Sequence, residues 1–442
     1  MEGSGSEAGE TSINWVRKYG GIVHYRHLLG EHRILVADPQ GLRTILVKED
    51  EKFLRDIQLG IGSRLNIVLL TNDGAEHSYQ RKLVNPHFTQ MSLNASFDIF
   101  LEQAQDLKNS VEDQLKGVTE KLLPIQNMVT DCVKEFICRY AFGEFPKMED
   151  SSQNIVTALM SALSLSPIVS FTQTIPILGW LPTKSNRALA KNIKFANDFV
   201  KKLMEDKRAK LMTDQGKEEM KKDLVGRLFL EADSSKPLTE DQVAGLISTI
   251  IFAGFQTTST AITWCLHILS EKPDIQEKIA QEVAEVMVHD GCWTWSNLDK
   301  LVYLDAVFKE SQRLIPIVSS VLKKAQRGAK INGYDIPEGT VVVAHLGAAM
   351  RNPHVWEDPD EFKPERFLNT TMDKYMYQFL PFGTGAHKCL GHQLAKVESR
   401  LILALLIQNF IFERPPGYKV RKASQLLITP NPKVELIVKR RN

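Results

Sequence analysis

The apolar positions of this chain keep more than one period, and each period predicts a different element. The stretch "IVHYRHLLGEHRILVADPQGLRTILV" (22–47) alternates apolar and polar residues and reads as a hairpin followed by a short helix. From about residue 73 to 230 the period is mostly helical. Within that span, the charge-dense "KKLMEDKRAKLMTDQGKEEMKKDL" (201–224) reads as a solvated helix end and loop. Thr239 and Gln242 then fit a capping box ahead of a run without charged residues, Gln242 to Leu266. A helix started there can continue to Lys272, where Pro273 stops it. That makes about 32 residues, or roughly 48 Å at the standard rise. Another helix is expected over about 297–314. Beyond it, "AKINGYDIPEGTVVVAHL" reads as strand, Asn-Gly turn, Pro-Glu-Gly turn and strand, and "QLLITPNPKVELIVKR" as a further strand pair. The pattern predicts a mainly α chain with small β sheets, an α+β fold.

Composition narrows the picture. A length of 442 residues allows two or three domains or one large fold. No linker divides the chain, so residues 13–442 are read as one domain. Residues 1–12, "MEGSGSEAGETS", are small, polar and acidic and read as a flexible leader. The formal net charge of +2 gives no reason to expect nucleic acid. The five cysteines, at 132, 138, 265, 292 and 389, are odd in number and scattered. They form no disulfide framework and suit a reducing compartment. The uncharged run is long enough to span a bilayer. It also holds Ser248, Thr249, Gln256, Thr257, Thr258, Ser259, Thr260 and Thr263. That polar content is costly in lipid, so a buried central helix is the better reading.

The chemistry concentrates near "FLPFGTGAHKCLGHQLAKVESRLILALL". Leu390, Leu394, Val397, Leu401 and Leu405 follow helical spacing, which puts Cys389 at or just before a helix N-terminus. The dipole there favours thiolate. Gly383, Gly385 and Gly391 would let backbone N–H groups approach the sulfur, and Phe382 would shield it. Three readings compete: a buried structural cysteine, one ligand of a zinc site, or a haem ligand. Zinc would use His387, Cys389 and His392 but lacks a fourth ligand. A structural cysteine leaves the glycines unexplained.

The loop "PFGTGAHKCLG" closely resembles the haem-binding loop of the cytochrome P450 family, Phe-x-x-Gly-x-x-x-Cys-x-Gly. The resemblance runs from about residue 14 to 440. "KESQR" and "PERF" match the family's Glu-x-x-Arg and later arginine, here Glu310, Arg313 and Arg366, a structural trio. "AGFQTT" (253–258) is similar to the oxygen-binding segment, which puts Gln256, Thr257 and Thr258 in catalytic positions. "HSYQRKLVNPHF" resembles the early helix that grips the haem, with His77 and Arg81 in reach of a propionate. Lys323 and His387 stand where the family often has arginine.

The resemblance implies a triangular P450 fold with a long central helix over haem b, and Cys389 as the iron's ligand. It implies a monooxygenase that uses dioxygen, a hydrophobic small-molecule substrate and electrons from NADPH through a separate flavoprotein reductase. The alternatives are a peroxide-driven or isomerising member, or a haem sensor that never turns over. The substrate pocket would use Phe252, Ala253, Ile317, Val318, Val321, Leu427 and Ile428. A monomer of the eukaryotic microsomal type is expected, its N-terminal anchor absent, on the cytoplasmic face of the endoplasmic reticulum. The apolar stretch 166–182 would make peripheral membrane contact. Gln256 replaces the acid usual in the family.

Overall fold

The computed structural model describes residues 7–27, 30–56, 67–143, 183–231, 239–424 and 427–441. The stretch 166–182 lies outside them. The chain forms two compact units: residues 1–56, 88–133 and 257–442, and residues 57–87 and 134–256.

The first unit carries the strands. β1 (Ile22–Arg26) and β2 (His32–Val36) form the expected hairpin. With β3 (Phe53–Arg55), β5 (Val321–Ala325) and β8 (Val341–Ala344) they make a five-stranded sheet in the order β1-β2-β8-β5-β3. Only β2 and β8 run parallel. All four side chains of β8, Val-Val-Val-Ala, are buried, as a central strand requires. Ile13 and Val16 of the Glu10–Tyr19 helix join the core beneath this sheet, with Leu35, Val342, Leu346 and Leu380. That helix takes in residues 10–12 of the stretch read as a leader, and the Ala8 N–H donates to the Lys422 carbonyl at 3.1 Å.

β4 (Glu120–Leu123), β12 (Leu436–Arg440) and β9 (Phe410–Glu413) form a second sheet. β6 (Lys330–Ile331) and β7 (Tyr334–Asp335) flank Asn332 and Gly333. Both turn residues have positive φ, 48° and 86°, the two-residue turn that Asn-Gly favours. β10 (Arg421–Ser424) pairs with β11 (Ile428–Asn431). The C-terminal tail therefore departs from the predicted strand pair. β11 and β12 join different sheets: β11 pairs with β10 just before it in the chain, whereas β12 pairs with β4 and β9.

The long helix also departs from expectation. It is two segments, Glu240–Gly254 and Gln256–Leu269, separated at Phe255. Thr239 and Gln242 form the predicted reciprocal capping box. The Gln256–Leu269 segment is buried at every position from Thr258 to Leu266, so its polar residues are core residues. The 297–314 helix is likewise two, Trp295–Lys300 and Val302–Leu314.

The second unit is helical among the described residues. Helices Lys184–Leu211 and Asp214–Met220 start at Thr183 and Thr213, whose hydroxyls accept from the Asn186 and Gly216 N–H groups at 3.1 and 3.0 Å. The charge-dense stretch 201–224 is less solvated than expected. Within it Lys207 and Asp223 are buried as an ion pair, and Lys207 Nζ also donates to the Phe142 carbonyl at 2.9 Å.

Candidate active site

Cys389 ends a loop tied down by its own backbone. The Gly383 N–H donates to Leu380 O, the Lys388 N–H to Gly385 O and the Cys389 N–H to Phe382 O, at 3.1, 3.1 and 2.8 Å. Directly after it begins the His392–Asn409 helix, so the exposed thiol stands at a helix N-terminus as the spacing predicts. Phe382 and His392 meet edge to face, with centroids 6.3 Å apart. His392 Nδ1 lies 3.1 Å from the Cys389 carbonyl oxygen. Burial, and next the Lys388 charge, lower the His392 pKa, which favours a neutral ring.

The three glycines are not equivalent. Gly383 and Gly385 have φ of 65° and 72°, a region that L side chains avoid. A Cβ at 385 would also overlap the Leu46 carbonyl oxygen, which belongs to a short π-helical turn, Thr44–Lys48. Gly391 has a negative φ, and a Cβ there would meet nothing within 4 Å. It leaves open space rather than a required turn. His387 is half-buried in the tight turn Gly385–His387.

Lys323 is buried to 2% on β5. The register places it directly opposite Arg55 of β3. Directly opposed residues of an antiparallel pair project from the same face. Two cations are therefore set side by side on one face of the β3–β5 pair.

Glu310, Arg313 and Arg366 are assembled. The Glu310 and Arg313 side chains are fully buried. Arg313 Nε and Nη2 donate to the two Glu310 oxygens at 2.7 and 2.9 Å. Glu310 also accepts from Arg366 Nε at 3.2 Å and from the Lys363 N–H at 2.8 Å. Arg313 further donates to the carbonyls of Met350, Pro359 and Glu361 at 3.1, 2.7 and 2.9 Å, and lies 5.2 Å from the Trp356 ring centroid. The trio fixes the 350–366 segment.

Thr257 and Gln256, both half-buried, open the Gln256–Leu269 helix, with Thr258 buried behind them. Later in this helix the Trp264 Nε1–H donates to the Ile428 carbonyl at 2.9 Å, and the Ile428 N–H donates to the Ile317 carbonyl at 2.8 Å. Ile317 and Ile428 are thereby brought together, and both are buried. Val318, Val321 and Leu427 beside them in sequence are half-buried.

In the second unit, Phe252 and Ala253 are half-buried on the last turn of the Glu240–Gly254 helix. Gly254 closes that turn because a Cβ would come 2.6 Å from Ile137 Cγ1. His77, buried, and Arg81 stand one turn apart on the Gly74–Val84 helix.

The donor set decides between the metal readings. Among the described residues no group of three His, Cys, Asp or Glu side chains could hold a metal ion. That disfavours zinc, which needs such a cluster. One thiol at a helix N-terminus, with cations elsewhere in the same unit, fits a dianionic cofactor that brings its own equatorial ligands. Haem is such a cofactor.

Two notable residues escaped the sequence reading. Arg55 carries no local signal; only the β3–β5 register reveals it. Glu398, on the His392–Asn409 helix, is buried to 3%, neither carboxyl oxygen meets a hydrogen-bond partner among the described residues, and burial raises its pKa well above the usual range. Its unexpected place on the core side of the leucine stripe was the available clue.

The family model for cytochrome P450 matches residues 6–438. Among curated proteins, the chain is 28% identical over 433 residues to a 3-beta-hydroxylase of Tanacetum parthenium, covering 94% of this chain and 85% of that one. It is 30% identical over 378 residues to psoralen synthase of Ammi majus, covering 80% and 74%. It is 29% identical over 395 residues to cytochrome P450 3A6 of Oryctolagus cuniculus, covering 86% and 77%. With its cysteine loop, its buried Glu-x-x-Arg trio and a match across nearly its whole length, the chain belongs to the cytochrome P450 family of haem-containing monooxygenases.

Proposed function

We propose that the protein oxidises a hydrophobic small molecule, with Cys389 Sγ as the protein residue that would hold the iron of haem b and electrons supplied from NADPH by a separate flavoprotein reductase. The observation that carries this reading is the exposed Cys389 thiol at the start of the His392–Asn409 helix, in a loop closed by its own N–H to Phe382. When bound, thiolate-ligated haem supplies dioxygen activation.

The chain's own residues supply the rest. In the first unit Lys323, Arg55 and His387, and in the second unit His77 and Arg81, are the candidates to hold a propionate. Phe382 would shield the sulfur, and Gly383 and Gly391 would leave room for the haem beside the loop. In the first unit Ile317, Val318, Val321, Leu427 and Ile428 would supply apolar side chains that exclude water and select a hydrophobic substrate, and in the second unit Phe252 and Ala253 would do the same. Association with the cytoplasmic face of the endoplasmic reticulum membrane belongs to the same reading.

Proton supply falls to Thr257. Its hydroxyl Oγ1 both donates and accepts, whereas the Gln256 amide has no proton to exchange at neutral pH. Thr257 is half-buried and Thr258 is buried, so Thr257 is the better placed to meet water. Gln256 orients a water by hydrogen bonds.

The test is the spectrum of the reduced, carbon-monoxide-bound protein. The wild type gives the thiolate-type band, and Cys389→Ser loses it in a chain that still folds. A retained band overturns the assignment of Cys389. Separately, NADPH consumption in the presence of reductase is compared with product formed. Thr257→Ala is expected to divert most of that consumption to hydrogen peroxide, because a lost proton relay costs a factor of roughly 10² to 10⁴ in such steps. Unchanged coupling in Thr257→Ala removes Thr257 from the relay.

A further inference from the structure

The β1–β2 hairpin brings two histidines together at the protein surface. His24 Nε2 lies 2.8 Å from His32 Nδ1, and both side chains are exposed. The rings stack at 15° with centroids 5.0 Å apart. The register explains the meeting: His24 is paired with Ile34 and His32 with Arg26, so the two histidines are diagonal neighbours on one face. Such neighbours are within reach of ring side chains. β2 is fixed on its other side by β8, so one of the two rings stands on a strand held from both edges.

We propose that His24 and His32 form a chelating site for a divalent transition metal, with Cu²⁺ preferred. Two imidazole nitrogens bound at right angles to one metal, each at about 2.0–2.1 Å, lie about 2.8–3.0 Å apart. The same bonds at a tetrahedral angle put them about 3.3 Å apart. The observed 2.8 Å matches the right-angle bite. Right-angle N,O coordination is the preference of Cu²⁺ and Ni²⁺, whereas Zn²⁺ prefers the tetrahedron. One ring now donates a hydrogen bond to the other; a metal displaces that proton once the two exposed rings turn so that both lone pairs aim at it.

The surroundings set the strength. Among the described residues no third His, Cys, Asp or Glu joins the pair, so water completes the coordination. Glu31 is engaged with Arg33, Nε to Oε2 at 2.7 Å. Arg26 sits directly across from His32 and opposes a cation, but it is exposed and can turn into solvent. Two imidazoles beside one arginine make a moderate site, of micromolar rather than nanomolar class.

The probe is the metal alone. Full-length protein, freed of metal with a chelator, is titrated with Cu²⁺, and with Ni²⁺ as a probe that free thiols do not reduce. Wild type is expected to bind both, and either His24→Ala or His32→Ala to weaken binding at least ten-fold. His27→Ala, the control on the same hairpin, should bind as wild type. Circular dichroism reports that the variants fold. Electron paramagnetic resonance of the Cu²⁺-loaded wild type, which depends on no variant, should show tetragonal copper with two nitrogen ligands. Equal affinity in wild type, His24→Ala and His32→Ala, or a spectrum without two nitrogens, overturns the proposal.

Discussion

Single side chains in this protein differ sharply in how their burial is compensated. Arg313 is fully buried and meets Glu310 and three backbone carbonyls, so its charge is hydrogen-bonded on every side. Glu398 has no such company, and burial alone holds its pKa well above the ordinary carboxylate value. The sign of its effect follows. The native state keeps a proton that the unfolded chain, titrating near 4.5, gives up. Its stabilising contribution is complete below that pH and is lost as pH rises through the folded value. His345 acts in the opposite sense, since burial lowers its pKa from 6.5 to about 4 and stability is lost as pH falls through the folded value. A variant-minus-wild-type comparison therefore isolates the carboxyl. Glu398→Gln should gain on wild type as pH rises from 5 to 8, by up to about 1.4 kcal/mol per pH unit within the window, read from thermal melts across that range. At this scale the sequence was half legible. Cys389 stands out by the helical spacing after it, and Glu310 and Arg313 through the resemblance to the family's Glu-x-x-Arg, whereas Arg55 and Glu398 matter only through neighbours that folding brings.

Elements were legible where local chemistry sets their ends. The Thr239 capping box and the Asn332–Gly333 turn were readable, because each is decided within four residues. Pro273, read as the stop of the long helix, instead opens the helix Pro273–Asp290, and the helix before it ends at Leu269. The interruptions at Phe255 and Leu301 were not readable. Gly254 is pressed against Ile137, and the Tyr303 and Leu304 N–H groups that begin a new helix are accepted by Glu282 at 2.6 and 2.9 Å, from about 20 residues away. The C-terminal strands were found but their partners were not, since pairing is a tertiary choice. The cysteine loop gives the sharpest prediction for an element. Gly385→Ala must bear both a positive φ and an overlap with the Leu46 carbonyl; Gly417→Ala bears a φ of 74° and meets nothing within 4 Å. The second variant should lose about 1–3 kcal/mol. The first should lose more and also retain less haem, measured by unfolding curves and by the haem-to-protein absorbance ratio.

Over the whole first unit, charge joins segments that the chain keeps far apart. Arg351 pairs with Glu10 at 2.6 Å and with Asp360; Asp360 also takes Arg17 at 2.6 Å, and Lys422 takes Glu7 and Glu10 at 3.2 and 3.0 Å. The N-terminal helix is thus held by residues more than 300 positions away. Arg351→Ala should cost about 1–3 kcal/mol, because Glu10 keeps Lys422 and Asp360 keeps Arg17, and limited proteolysis should cut first near residues 7–20. The parallel pairing of β2 with β8 belongs to the same long-range design, joining residues 33–36 to 341–344. On a ribosome adding about 5–20 residues per second, the first of those strands waits on the order of 15–60 s for its partner to be made. Throughout that wait the hairpin offers a bare β2 edge to any other nascent chain. Synthesis, rather than the finished fold, is therefore when this protein is most exposed to aggregation. A pause before residue 341 lengthens that exposure, and a truncation or frameshift before it leaves the edge open for good.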